Sequence, residues 1–106
     1  MFRHPRAAVA ALAASLTAAP AWAQAQDAHL ARNLAATCAT CHGTNGNARG
    51  DMRPLAGVSA QKTLAAIADY KSGAQPATVM HQIAKGYTDE QLQLIANWFA
   101  AQPVKK

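Results

Sequence analysis

The sequence predicts a small all-α domain of three or four short helices. Three observations carry that expectation. The chain has 106 residues, which is room for one domain. Of these, 28 are alanine, a residue that favours helix and contributes little burial area. β-Branched residues are scarce and no apolar–polar alternation runs through the chain, which argues against sheet. Bulky apolar side chains are scarce too, and a domain this small usually needs a staple such as a disulfide, a metal or a cofactor. The helices must therefore pack against something large that is not one of their own side chains.

Residues 1–23 read as a secretory signal peptide. A positive start, Met1-Phe2-Arg3-His4-Pro5-Arg6, precedes an apolar run from Ala7 to Ala19 and the end Pro20-Ala21-Trp22-Ala23. The run is shorter than the roughly 20 residues that span a hydrocarbon core. Pro20 would also break a helix where an anchor should continue. Cleavage is expected after Ala23, with Ala25 as the alternative, and the absence of an Arg-Arg pair favours the general export route. Residues 24–106 then form the mature domain, in an oxidising compartment. Losing Arg3 and Arg6 takes the basic residues from 10 to 8 against 5 acidic ones, a net charge of +3. No basic cluster is interleaved with aromatics, so nucleic-acid binding has no support.

The first helix is expected from about Asp27 to Thr37, with Asp27 as N-cap and Leu30 and Leu34 on one face. The stretch from Thr44 to Asp51 is rich in Gly and Asn and reads as a loop, extended by Met52-Arg53-Pro54-Leu55-Ala56-Gly57. A second helix starts near Ser59, carries Leu64, Ile67, Ala68 and Lys71 on one stripe, and stops at Gly73. Pro76 could open a short helix. The last helix begins with the capping box Thr88-Asp89-Glu90-Gln91 and buries Leu92, Ile95, Trp98 and Phe99, with Pro103 just beyond its end.

Cys38-Ala39-Thr40-Cys41-His42 supplies the missing bulk. The Cys-x-x-Cys-His spacing is the signature of covalent haem attachment. Two thiols three positions apart can reach the two vinyl groups on one porphyrin edge, and the next residue offers its imidazole to the iron. A disulfide would close too short a loop to contribute much and would leave His42 unexplained. A thioredoxin-like pair wants a βαβ context, which is absent, and the adjacent Cys41-His42 pair is poor spacing for zinc.

The sixth iron ligand has four candidates: Met80, Met52, His81 and His29. Met52 lies close after the motif, on the side of His42. His29 precedes the motif, on the first helix. Met80 lies beyond the second helix, where the chain has crossed to the other haem face, and is favoured; His81 is the competitor. An iron-bound histidine donates its other N–H to a fixed acceptor. The Pro54 carbonyl is the candidate acceptor, although Pro54 could merely stiffen the loop.

At these residues the chain resembles small bacterial class I cytochromes c. The resemblance runs from about Leu30 to Ala101 and rests on Cys38-Ala39-Thr40-Cys41-His42-Gly43, Pro54-Leu55-Ala56-Gly57, Met80 and Ile95-Ala96-Asn97-Trp98-Phe99. It implies helices wrapped around haem c with the first and last crossing, Cys38 and Cys41 as thioether links, His42 and Met80 as axial ligands, and the Pro54 carbonyl accepting from His42. One departure stands out. Leu30 and Leu34 occupy places where the family often has a glycine and an aromatic, so the crossing should be bulkier or less close, with Trp98 opposite. The stretch Pro76 to Gln91 is more narrowly similar to the cytochrome subunit of flavocytochrome c sulfide dehydrogenases, of the monohaem kind. That resemblance implies a periplasmic partnership with a flavoprotein subunit that oxidises sulfide and passes electrons to the haem.

No catalytic constellation of the chain's own is visible, so electron transfer leads. A free diffusing carrier to an oxidase or reductase is the second reading. A five-coordinate enzyme or gas sensor would require that Met80 not bind. For a docked partner, Val79, Ile83 and Tyr87 offer apolar area, and Lys85 is the sole charge between Gly73 and Thr88. Of the three, Tyr87 is expected nearest the surface, while Val79 and Ile83 could simply cover the haem.

Overall fold

A computed structural model describes Ser15 and residues 21–106, with side chains of residues 21–28 outside that description. Most of the expected signal peptide therefore lies outside the described residues. Among the described residues the chain is helical without strands: α1 (Ala21–His42), a 3-10 turn (Thr44–Gly46), α2 (Ala60–Ser72), α3 (Met80–Lys85) and α4 (Asp89–Ala100). No helix in this set is long and apolar enough to cross a membrane.

Helix α1 is longer at both ends than the sequence suggested. Asp27 lies inside it and is no cap, because the Ala- and Gln-rich residues ahead of it also favour helix. At the other end the helix runs through the whole Cys38–His42 motif. Helix α2 has the expected ends. The Ser59 hydroxyl accepts from the Lys62 N–H at 3.2 Å, and Gly73 closes the helix in the left-handed region at φ 83°. Pro76 opens no helix; α3 starts at Met80, after a Val79 cap that makes no side-chain bond. Helix α4 carries the full capping box, with Thr88 Oγ1 accepting from Gln91 N at 3.1 Å and Gln91 Oε1 from Thr88 N at 2.9 Å.

Helices α1 and α4 pack against each other through Ala35, Ile95 and Phe99, with Leu34, Cys38, Leu55, Tyr87 and Trp98 around them. The crossing is not bulky. Ala35 is fully buried at its centre, Leu30 is 43% exposed, and the buried opposing aromatic is Phe99 rather than Trp98. Trp98 stands edge-on to the Phe99 ring at 5.1 Å and is only half-buried. Helical phase explains the difference: residues 34 and 35 share the inward arc, and the smaller of them takes the point of closest approach.

Helix α2 buries Thr63 alone and α3 buries Ala84 alone. Ala68, expected on the α2 stripe, is exposed, while Leu64 and Ile67 are half-buried. The only ion pair among the described residues, Lys71 Nζ to Asp89 Oδ1 at 3.8 Å, ties α2 to α4 at the surface.

Candidate haem site

Between the α1–α4 crossing and the α2–α3 layer lies a cleft of about 350 Å³. Its lining draws on every α-helix and on the loop after the 3-10 turn. Cys38, Cys41 and His42 reach it from the last turn of α1, and Met80 from the first residue of α3. Most of its other lining side chains are apolar, among them Leu55, Ile67, Leu92, Ile95 and Phe99.

Both cysteines are free thiols, Cys38 half-buried and Cys41 exposed. Burial pushes the Cys38 thiol above its ordinary pKa, against a smaller opposing effect from a backbone hydrogen bond. Among the described residues no group of three or more His, Cys, Asp or Glu side chains is gathered to hold a metal ion.

His42 Nδ1 lies 2.6 Å from the Arg53 carbonyl oxygen, a short bond in which the ring nitrogen donates. That arrangement leaves Nε2 as the nitrogen available to a metal. The acceptor is thus Arg53, one residue ahead of the expected Pro54. A proline disfavours helical conformations in the residue before it, which restricts where the Arg53 carbonyl can point.

The four candidates for the second axial position separate. Met80 and Met52 line the cleft; His29 and His81 do not. His81 instead lines a second, shallower cleft with Tyr70, Lys71 and Lys85, and its Nδ1 is buried without a partner. The apolar residues around α3 separate too. Val79 and Ile83 line the cleft, as residues that cover a bound group would, whereas Tyr87, expected nearest the surface, is half-buried against the core.

Sequence reasoning passed over Gly46. It is buried, with φ 79°, and a Cβ there would stand 2.8 Å from the Phe99 ring and 2.7 Å from Ala56 N. Its carbonyl accepts from both Leu55 N and Ala56 N, which brings the loop back beneath His42. The signal was present as the recurring glycines at 43, 46 and 50, but composition alone does not say which glycine meets α4.

The residues fit haem. Two thiols and an oriented imidazole stand at one end of an apolar cleft whose helices lack bulk of their own, and a thioether lines the same cleft from another helix. Such a fold and site define a small covalent haem protein. A family model described as cytochrome c matches residues 28–102, and the chain belongs to that family. Membership implies a covalently bound haem c.

Three relatives are informative. The cytochrome subunit of sulfide dehydrogenase from Chlorobaculum tepidum is 42% identical over 66 residues, 62% of this chain and 60% of that one. The thiosulfate dehydrogenase electron acceptor from Stutzerimonas stutzeri is 36% identical over 102 residues, 93% of this chain and 47% of that one. Cytochrome c-553 from Desulfomicrobium norvegicum is 32% identical over 69 residues, 62% of this chain and 86% of that one. The chain thus spans 60% and 47% of the first two relatives' lengths.

Proposed function

We propose that this chain is an electron-transfer subunit that accepts electrons from a flavin-containing sulfide dehydrogenase partner. The carrying observation is the oriented His42 imidazole on the cleft that Met80 and Met52 also line, with His81 lining another. Cys38 and Cys41 would hold the haem through thioether links, and His42 and Met80 would be its iron ligands. When bound, haem c supplies a reversible one-electron change at iron. The Arg53 carbonyl fixes the His42 ring and raises its donor strength. With His42 and Met80 both bound, the iron would offer small molecules no open site, which favours electron transfer over a five-coordinate enzyme or sensor.

The subunit role is supported by the 42% identity to a protein of that description. Lys85 is the sole charge between Gly73 and Thr88, so a partner that meets this side of the molecule finds few charges at its centre. Residues 1–23 would direct export to the periplasm, and cleavage after Ala23 would remove only the first residues of α1. The second reading, a free carrier, is favoured by the similarity to an electron acceptor of thiosulfate dehydrogenase.

One kinetic experiment separates them. With the flavoprotein supplied, sulfide should reduce the haem at a rate that survives high salt, since apolar contact is weakly screened. A rate that falls steeply with ionic strength, together with no flavoprotein in a native pull-down, would establish the carrier instead. Ligation is tested on Met80→Ala, which should open the iron to cyanide while His81→Ala leaves the spectrum unchanged. An unchanged Met80→Ala spectrum would reject Met80.

A further inference from the structure

Among the described residues, no backbone–backbone hydrogen bond involves residues 48–54. Arg49 to Pro54 are all exposed, and a Cβ at Gly50 would meet nothing. Yet this bare stretch carries the Arg53 carbonyl that holds His42 at 2.6 Å. A carbonyl on an unbraced loop keeps its place only if the two ends of the loop are fixed.

One end is fixed by Leu55 N and Ala56 N on the Gly46 carbonyl. The other end is Asn47. Its backbone N–H reaches only back to Thr44 O, within the same turn. Its side chain reaches across the molecule: Nδ2 donates to the Pro103 carbonyl at 3.1 Å, and Oδ1 accepts from the Lys105 N–H at 2.8 Å. Both amide atoms are thus used on the C-terminal tail, 56 and 58 residues away. The tail itself is anchored to α4, through Gln102 N on Phe99 O at 3.0 Å and Gln102 Nε2 on Trp98 O at 2.9 Å. Val104 lies over Gly57, where a Cβ would stand only 2.8 Å from its methyl.

We infer that the tail segment Gln102–Lys105, clasped by Asn47, is a positioning device for the proximal imidazole: it holds the His42 loop against α4 and so keeps the Arg53 carbonyl on Nδ1. This rests on the reading of His42 as an iron ligand. The two bonds of Asn47 join a loop to the tail and brace no helix, so their loss opens the loop more than it unfolds the domain. Two ordinary hydrogen bonds correspond to on the order of a tenfold change in a local opening equilibrium. A looser acceptor makes the imidazole a weaker donor to iron, which favours Fe(II).

The test uses the haem-loaded protein and reads two quantities: hydrogen exchange of the His42 Nδ1–H by NMR, and the midpoint potential. Asn47→Ala should speed that exchange about tenfold and raise the potential. Asn47→Asp keeps the acceptor for Lys105 N–H and should give a smaller acceleration. Thr88→Ala, which removes a helix cap far from the clasp, serves as the matched destabilised control and should move neither quantity. If Asn47→Ala leaves both at the wild-type values, or if Thr88→Ala speeds the exchange as much, the clasp is ordinary tail packing and the inference fails. The wild-type spectrum tests the other reading separately: His42 ring protons without iron-induced shifts would reject ligation, and the exchange rates would still report on the clasp.

Discussion

The two halves of this molecule are built differently. Helix α4 buries Leu92, Ile95, Ala96 and Phe99, and with Ala35 of α1 it closes a contact from which solvent is excluded. Helices α2 and α3 together bury one threonine and one alanine, and leave Val79 and Ile83 exposed beside the cleft. The first half makes a buried side-chain contact of its own. The second buries few side chains of its own and turns Ile67, Tyr70 and Ile83 to the cleft, so a group that fills the cleft would supply much of its packing. The staple inferred from composition is therefore not spread evenly over the fold; it serves α2 and α3 above all.

The strongest way to break this contrast is to remove both thioether links. Cys38→Ala with Cys41→Ala should leave a chain without covalent haem and with most of its cooperative fold lost. Residual amide protection, if any, should sit at the α1–α4 crossing, and α2 and α3 should have none. Hydrogen exchange mapped by mass spectrometry reads this directly. A protease-resistant apoprotein with native helix content throughout would show that the contrast has no energetic meaning.

How much of this was legible depended on whether the partner of a residue was local. The α4 start was legible because Thr88 and Gln91 bond each other within one turn. Ser59 and Gly73 marked the ends of α2 for the same reason. The Cys38, Cys41 and His42 cluster was legible because its spacing encodes its chemistry. What escaped were long-range choices. Leu30 and Leu34 looked like the core of α1, but the approach of α4 selected Ala35. Pro54 looked like the acceptor, but the return of the loop to Gly46 put Arg53 there. Asn47 passed as loop composition because its partners lie at the other end of the chain. Tyr87 seemed a surface residue because nothing nearby in sequence says that it folds back on Ile95 and Phe99.

A second test sharpens the contrast within the loaded protein. Phe99 is fully buried and is the largest such side chain among the described residues. Its truncation to alanine should cost about 3–5 kcal/mol, as buried aromatics do. Ile83→Ala removes a side chain that is exposed on the protein side and should cost about 1 kcal/mol or less beyond any contact with haem. Denaturant unfolding of both variants measures the difference. Equal costs would mean that the bound group packs on α3 as tightly as α1 packs on α4.

The smallest effect is expected at the junction of the halves, where α3 gives way to α4 through Tyr87 and Thr88. Thr88→Ala removes the hydroxyl that accepts from Gln91 N and leaves one N–H at the head of α4 without its partner. Asp89 and Glu90 still offer negative charge to the helix start, so α4 should survive. The loss should be about 1 kcal/mol, the usual worth of such a cap. Because the cap braces α4 and not the cleft, the optical spectrum should stay as in the wild type while the unfolding midpoint falls. A spectrum that changes with Thr88→Ala would mean that the start of α4 also sets the position of α3 and Met80, and the two halves would then be one unit.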